Sequence, residues 1–444
     1  MSQEIKKRPC ICRDIIVVGA GASGLMAAIH AARCGASVLI LEHMERPGKK
    51  LLMTGNGRCN FTNEALFSPH VSDEPQDGAS LAYFYGQFYH GASPAFVLPA
   101  MESFSPRDTL RFFGELGMPA VVRKGGYYPR GGGAAGLCAL LQLECERLGI
   151  EIHCNIGIRK IRKAENKFIF ETKSDTYISK KCVLATGGKS YKKTGSDGSG
   201  FLYVECFGHH TQDLVPALVP LQSRLAFFGK VAGIRAEIST KIYIDNVEMG
   251  CESGELQLTD YGVSGICIFQ VSHLAAKGIR RGQSVHLALD FLPDVKESEV
   301  RTLLMKRAKS VFSGHKTMAQ SLFGLFPEKL GSALLEETGL QPDAPCASLS
   351  AAQAGKLAAQ IKHFSVPVEN TRSFEQAQVT AGGVDTGEVC EETMESMLVK
   401  GLYFAGEMLD IDGICGGFNL QWAWSSGAAA GRCAAASLSE EKKT

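Results

Sequence analysis

Hydrophobic positions in this chain begin as an unbroken run. Ile15-Ile-Val-Val18 passes through Gly19-Ala-Gly21-Ala-Ser-Gly24 into the small and apolar residues Leu25-Met-Ala-Ala-Ile29. A short continuous apolar run bounded by glycines reads as a buried strand, a tight turn and then a helix. Gly35 ends the helix, Ser37-Val-Leu-Ile-Leu41 forms a second strand, and Glu42 falls at its end. A loop rich in glycine and basic residues follows from Pro47 to Asn60, and residues 64–80 are polar and loop-like. Helical spacing returns near 81–90, over 106–117, and over 135–148, where Gly149 closes it. A strand over 150–154 opens a meander with further strands over 167–171 and 176–179, ending in Cys182-Val-Leu-Ala-Thr186-Gly187-Gly188.

The rhythm then changes twice. Residues 203–290 alternate as β-strands do, whereas 295–340 and 349–362 carry helical spacing. Glycine-rich motifs come back at 379–384 and 401–427. This order predicts an α/β protein: a three-layer, Rossmann-like nucleotide-binding domain with an inserted β subdomain and a small helical subdomain. The nucleotide domain is discontinuous, over 1–202 and 366–444. The β-rich, substrate-side part covers 203–293 and 346–365, and the helical part covers 294–345. At 444 residues the chain exceeds one typical core, which fits several domains.

The first glycine cluster carries specific chemistry. Gly19 permits the tight turn, Gly21 lets the backbone approach a pyrophosphate, and Gly24 lets the helix pack against the strand. Phosphates sit at such a helix N-terminus because its unpaired N–H groups and dipole favour anions. Glu42, at the end of the second strand, can accept ribose hydroxyls, which favours an adenosine diphosphate without a 2′-phosphate.

Composition narrows the classes. Lys and Arg total 47 against 46 Asp and Glu, so no global field draws the protein to nucleic acid or anionic lipid. Residues 15–32 follow Lys6, Lys7 and Arg8 as an export signal would, but Asp14 and three glycines argue against insertion, and the stretch is short for a bilayer. A cytoplasmic protein with no membrane segment is expected. The 15 cysteines are scattered without a CxxC pair, so no metal site is expected and free thiols in a reducing compartment are.

Several motifs together make a family resemblance. Gly55-Asn-Gly-Arg58-Cys59-Asn60-Phe-Thr-Asn63, Ala185-Thr-Gly-Gly188, Val379-Thr-Ala-Gly-Gly383, Gly401-Leu-Tyr-Phe-Ala-Gly406-Glu407 and Gly416-Gly-Phe-Asn419-Leu-Gln-Trp-Ala-Trp-Ser-Ser-Gly427 resemble the BaiN/YhiN-like flavoproteins almost end to end. The resemblance implies a glutathione-reductase-type FAD domain and reductase or dehydrogenase chemistry, often with a nicotinamide donor. A well-described member type reduces carbon–carbon double bonds in bile-acid intermediates. Two departures bear on the substrate side: Cys415 stands where a threonine commonly precedes the paired glycines, and Gly131-Gly-Gly133 replaces a more polar stretch.

The motif positions predict a cofactor set. Gly19, Gly21, Ala22, Ser23 and Gly24 carry the pyrophosphate and Glu42 the adenosine ribose, while Lys49 and Lys50 neutralise phosphate charge or form a solvated basic pair. Gly57, Arg58, Cys59 and Asn60 lie in a backbone-rich loop against the isoalloxazine. Ile158 resembles the edge-strand position whose backbone meets adenine, and Ala185, Thr186 and Gly187 cover the diphosphate side. Gly406 and Glu407 resemble a Gly-Asp pair on the ribityl chain, with Asp410 and Asp412 as alternatives. Gly417, Phe418, Asn419 and Leu420 begin a final helix whose N-terminus faces flavin N1/O2.

No catalytic residue is assigned; Cys59 and Tyr261 are candidates, the latter in the loop Thr259-Asp-Tyr261-Gly-Val-Ser264-Gly265, which is equally readable as a β-turn. The missing CxxC argues against disulfide catalysis. The expected activity is reduction of a conjugated C=C or carbonyl in a hydrophobic small molecule, such as a steroid-like enone. FAD is the cofactor and NAD(P)H a transient donor, because only one dinucleotide fingerprint is present. A small-amine oxidase, a tRNA-modifying flavoprotein and a redox sensor are the alternatives. His209-His210 and Tyr127-Tyr128 read as packing or surface pairs, and Trp422 and Trp424 as core.

Overall fold

The run Ile15–Val18 is fully apolar because it lies between two parallel neighbours and is buried on both faces. In this computed structural model, which describes residues 10–70, 78–91, 93–310 and 315–440, β1 (Cys10–Val18) leads into α1 (Ala22–Arg33) and β2 (Val38–Leu41). Then come α2 (Gly133–Arg147), β3 (Glu151–His153), β4 (Lys160–Ala164), β5 (Lys167–Glu171) and β6 (Thr176–Leu184). β7 (Leu402–Phe404) and α3 (Phe418–Glu440) close the set. The sheet order is β3-β2-β1-β6-β5-β4, with β7 also on β6.

Two strands expected around 176 and 182 are one. β6 pairs antiparallel with β5 through Thr176–Ser179 and parallel with β7 through Cys182–Leu184, so it serves both the meander and the parallel core. The expected helix near 81–90 runs Gly78–Gly86 and gives way to a strand at Tyr89–Gly91. On α1, the last helix packs backbone to backbone: a Cβ at Gly431 would lie 2.1 Å from Ala27 O. Trp422 and Trp424 are buried, and their indole N–H groups donate to Gly406 O and Phe61 O.

The chain divides into two units, residues 1–214 with 379–444, and residues 215–378. The boundaries therefore fall later than 202 and 365. The helix Gly200–Cys206 packs on β4, and Val366 and Val368 belong to the second unit's core. That unit holds a seven-stranded antiparallel sheet, in the order Phe364–Pro367, Val285–Asp290, Arg235–Ile244, Val247–Thr259, Gly262–Gly265, Leu221–Gln222, Asn370–Thr371.

The uniform β reading of 203–290 is overturned by the helix Ile266–Arg280, whose buried Cys267, Ile268, Val271 and Ala275 recur at helical spacing. The helices Glu297–Ala308, Glu328–Glu337 and Ala351–Lys362 contribute Val300, Leu334 and Leu357 to the same core as the sheet residues Leu256 and Leu287. Helical segment and sheet share one core. Among the described residues no helix is long and apolar enough to cross a membrane; Lys6, Lys7 and Arg8 lie outside them.

Candidate functional site

The three fingerprint glycines are required for different reasons. Gly19 has φ +101°, and a Cβ there would sit 2.5 Å from Ala185 O; one at Gly24 would sit 2.0 Å from Gly19 O. Both keep the turn, α1 and β6 in contact. Gly21 differs: a Cβ there would meet nothing within 4 Å. It is half-exposed at the N-cap of α1, in front of the free N–H groups of the first helical turn. Nothing in the polypeptide demands a glycine at that position, so the open space suits a bound diphosphate. Ala22 begins the helix, and Ser23 is buried with its hydroxyl donating to Ala405 O at 3.3 Å.

Glu42 is buried at the end of β2 and holds the turn directly. Its Oε2 accepts the Ala20 N–H at 2.7 Å and its Oε1 the Met44 N–H at 2.8 Å, with His43 Nδ1 at 3.2 Å from Oε1. Burial opposes the charge, yet hydrogen bonds from His43, Met44 and Ala20 outweigh it and keep the carboxyl below the usual range. The carboxylate is thus fixed and ionised, with lone pairs left for ribose hydroxyls.

Four distant segments converge beside this turn. Lys50 Nζ donates to Glu407 Oε2 at 2.5 Å, and Glu407 Oε1 accepts the Thr380 N–H at 2.7 Å. Thr380 Oγ1 in turn accepts the Lys189 N–H at 2.8 Å. A Cβ at Gly188 would strike Thr380 Oγ1 at 2.5 Å, and one at Gly406 would strike Ser23 Oγ at 2.5 Å. Ala185 follows β6 with its N–H on Val18 O, while Thr186 Oγ1 faces Met408 Sδ at 3.1 Å. Gly187 faces Ser196, whose hydroxyl is buried without a hydrogen-bond partner. Such an orphaned group on the expected diphosphate side suits a polar ligand.

On the other side of the motif set, Gly55, Asn56 and Gly57 all have left-handed backbone, and Gly57 and Arg58 are exposed. Cys59 has φ +58° and is wholly buried, and burial pushes its thiol up to about 12. Such an environment disfavours the thiolate. Asn60 Oδ1 is buried without a partner and would lie 2.8 Å from a Cβ at Gly417.

Gly417 precedes α3, which starts at Phe418 with Asn419 and Leu420 in its first turn. The Asn419 side chain pins the preceding loop, accepting the Gly413 N–H at 2.8 Å and donating to Gly413 O at 2.7 Å; Phe418 stacks on Phe88 at 5.0 Å. Within the glycine run at 131–133, Gly133 has a steric reason, since a Cβ there would lie 2.3 Å from Gly57 O. Burial raises the Cys415 thiol as well.

Other expected positions take local roles. Lys49 pairs with Glu45 one turn away at 3.1 Å. Ile158 is half-buried and its carbonyl accepts the Tyr203 O–H at 2.8 Å. Asp410 and Asp412 are buried, with Asp412 Oδ2 at 3.3 Å from His90 Nδ1. Tyr261, in the second unit, forms the two-residue hairpin turn with Asp260, and Arg372 lies over its ring at 4.5 Å. His209 and His210 both bond Glu388.

Thr380, Ser196 and His43 were missed as site residues. The Val379-Thr-Ala-Gly-Gly383 motif pointed at the first, and Thr194-Gly-Ser-Asp-Gly198 offered a similar cue for the second.

The HI0933-like protein Rossmann domain model matches residues 13–433. A 3-dehydro-bile acid delta(4,6)-reductase of Clostridium scindens is 38% identical over 421 residues, 94% of this chain and 98% of the relative. A ribosomal RNA dihydrouridine synthase of Haemophilus influenzae is 30% identical over 420 residues, 93% of this chain and 96% of the relative. In fold, the chain resembles a 3-ketosteroid-delta4-(5alpha)-dehydrogenase of Rhodococcus jostii, with a TM-score of 0.51 at 15% identity over 97% of this chain and 98% of that one. The chain belongs to the HI0933-like Rossmann family and is an FAD-dependent oxidoreductase.

Proposed function

We propose that this enzyme reduces a carbon–carbon double bond conjugated to a carbonyl in a hydrophobic small molecule, with NAD(P)H as transient donor. The observation that carries the reading is a bond type shared by two relatives' names. A 3-dehydro compound with delta(4,6) unsaturation is a conjugated dienone, and a dihydrouridine is a uridine saturated at the C=C next to a carbonyl. The reductase shares 38% identity with this chain, against 30% for the synthase, which favours the steroid-like acceptor.

When bound, FAD supplies the hydride-transfer chemistry. The chain's residues would bind and orient it. The N-terminus of α1 and Gly21 receive the diphosphate, Glu42 takes the ribose, and Ser196 and Thr380 flank the Gly187-Gly188 turn. The positive dipole end at the start of α3 would suit negative charge on a flavin ring bound there. Lys50 and Glu407, which pair with each other, would lie at the ribityl side. All 15 cysteines are thiols, which fits a cytoplasmic setting.

A second reading, reduction of a base in RNA, is favoured by the ribosomal RNA dihydrouridine synthase relative and opposed by the net charge of +1. One experiment separates them. Consumption of NADH or NADPH is followed with a panel of steroid enones and, separately, with ribosomal RNA, with products read by mass. Two added hydrogens on an enone and none on RNA support the first reading; the reverse overturns it. Oxygen uptake without either acceptor would point to the oxidase.

A further inference from the structure

The second unit holds a positive charge that no carboxylate among the described residues pairs with. Arg372 is half-buried, and its guanidinium lies over the Tyr261 ring, 4.5 Å from the centroid. Its backbone N–H donates to Pro220 O at 2.9 Å, which fixes where the side chain starts. Nε donates to Gln376 Oε1. With the Gln222 amide turned to suit its neighbours, the Gln222 oxygen accepts from Nη1 at 3.2 Å and its nitrogen donates to Thr371 O at 3.1 Å. Among the described residues no carboxylate pairs with Arg372, and Glu369, three positions earlier, accepts the Arg224 N–H instead.

Two neutral amide oxygens and an aromatic face orient this cation without neutralising it. A guanidinium has five N–H donors in a planar fork, so donors remain for a ligand. Arg372 lines an open groove of about 450 Å³, with Gln222, Asn370, Thr371 and Ser373 as polar walls and Phe374 as an apolar flank. A planar carboxylate matches the fork by two parallel hydrogen bonds, and the apolar flank suits a hydrocarbon body attached to it.

We infer that this groove binds the carboxylate of an organic acid, with Arg372 as the anchor and Tyr261 as its support. Carboxylate recognition stands apart from the reductase reading. Only the choice of a steroid acid as one probe rests on that reading.

Calorimetric titration of the flavin-loaded protein with cholate, methyl cholate and octanoate tests it, for wild type and for Arg372→Gln and Arg372→Lys. Equal flavin content and melting temperature show that the variants fold. Cholate is expected to bind at least about tenfold more tightly than its neutral methyl ester, a preference lost in Arg372→Gln and reduced in Arg372→Lys. Arg372-dependent binding of octanoate without cholate binding keeps the carboxylate site and counts against the steroid-like substrate. Cholate and ester binding equally, a preference surviving in Arg372→Gln, or neither acid binding overturns the inference.

Discussion

Lys50 Nζ stands 2.5 Å from Glu407 Oε2, joining the short helix Lys49–Met53, which takes the place of part of the expected loop after β2, to the turn after β7 across 357 positions of sequence. Both side chains are about one-fifth exposed, at 24% and 19%, so the pair is shielded more than a surface ion pair but not fully desolvated. Glu407 also takes the Thr380 N–H, which ties a third segment to the pair. Lys50→Met removes a charge-assisted hydrogen bond and is expected to lower stability by about 1.5–3 kcal/mol. Adding Glu407→Gln should then lower it by less than that change does alone. Denaturant titration of the single and double variants reads the coupling; strict additivity would show that the two side chains do not interact.

Gly21 and Gly24 separate cofactor binding from folding. Gly24→Ala forces a Cβ to within 2.0 Å of Gly19 O and should unfold or strongly destabilise the chain. Gly21→Ala places its Cβ in open space. It should fold with an apoprotein melting temperature near wild type yet purify with little flavin. Normal flavin content in Gly21→Ala would remove Gly21 from the cofactor site.

The fingerprint turn was readable because the spacing of its glycines between strand and helix is itself a local signature, even though Gly19 also clears the distant Ala185 O. Glu42 was readable too, at the end of a strand whose apolar run is visible. What was not readable is what joins distant segments. Nothing near Thr380 in sequence says that its hydroxyl meets Lys189, and nothing near Ser196 says that it faces Gly187. The helix Ile266–Arg280 was hidden because its apolar residues follow alternating strands without an N-capping side chain to announce it. The domain limits slipped for a similar reason, since only packing decides that Val366 and Val368 join the second core.

His30 gives a pH dependence of stability. It is buried between Phe104 and Phe112, with ring centroids 5.1 and 5.8 Å away, and its Nε2 has no partner. Burial, helped by Arg432 and Arg33, lowers it to about 3. An unperturbed imidazole titrates near 6.5, so as pH falls the unfolded chain takes up the proton first. Its effect is absent above about 6.5 and grows as pH drops toward 3, reaching on the order of 2 kcal/mol of lost stability at pH 5. Denaturation midpoints at pH 7 and pH 5 should therefore differ more in wild type than in His30→Leu. An equal difference in both would mean that His30 is protonated in the folded state.

Cys59 should be chemically silent. A thiol that is wholly buried and raised to about 12 is almost entirely protonated near pH 8, and alkylating agents react with the thiolate. Iodoacetamide labelling of native protein, followed by peptide mass mapping, should leave Cys59 unmodified until denaturant is added, while exposed Cys206 and Cys251 react. Cys59→Ser should keep flavin reduction by a donor; loss of turnover with flavin retained would give the thiol a redox role after all.

The most direct measurement is an anaerobic half-reaction. Flavin-loaded protein is bleached with one equivalent of dithionite and mixed with a 3-oxo steroid carrying conjugated unsaturation, which separates the acceptor step from any choice of nicotinamide. The flavin absorbance should return without oxygen, and one C=C of the steroid should gain two hydrogens by mass. Absorbance that stays bleached with every conjugated enone, and returns only when air is admitted, would contradict the proposed function.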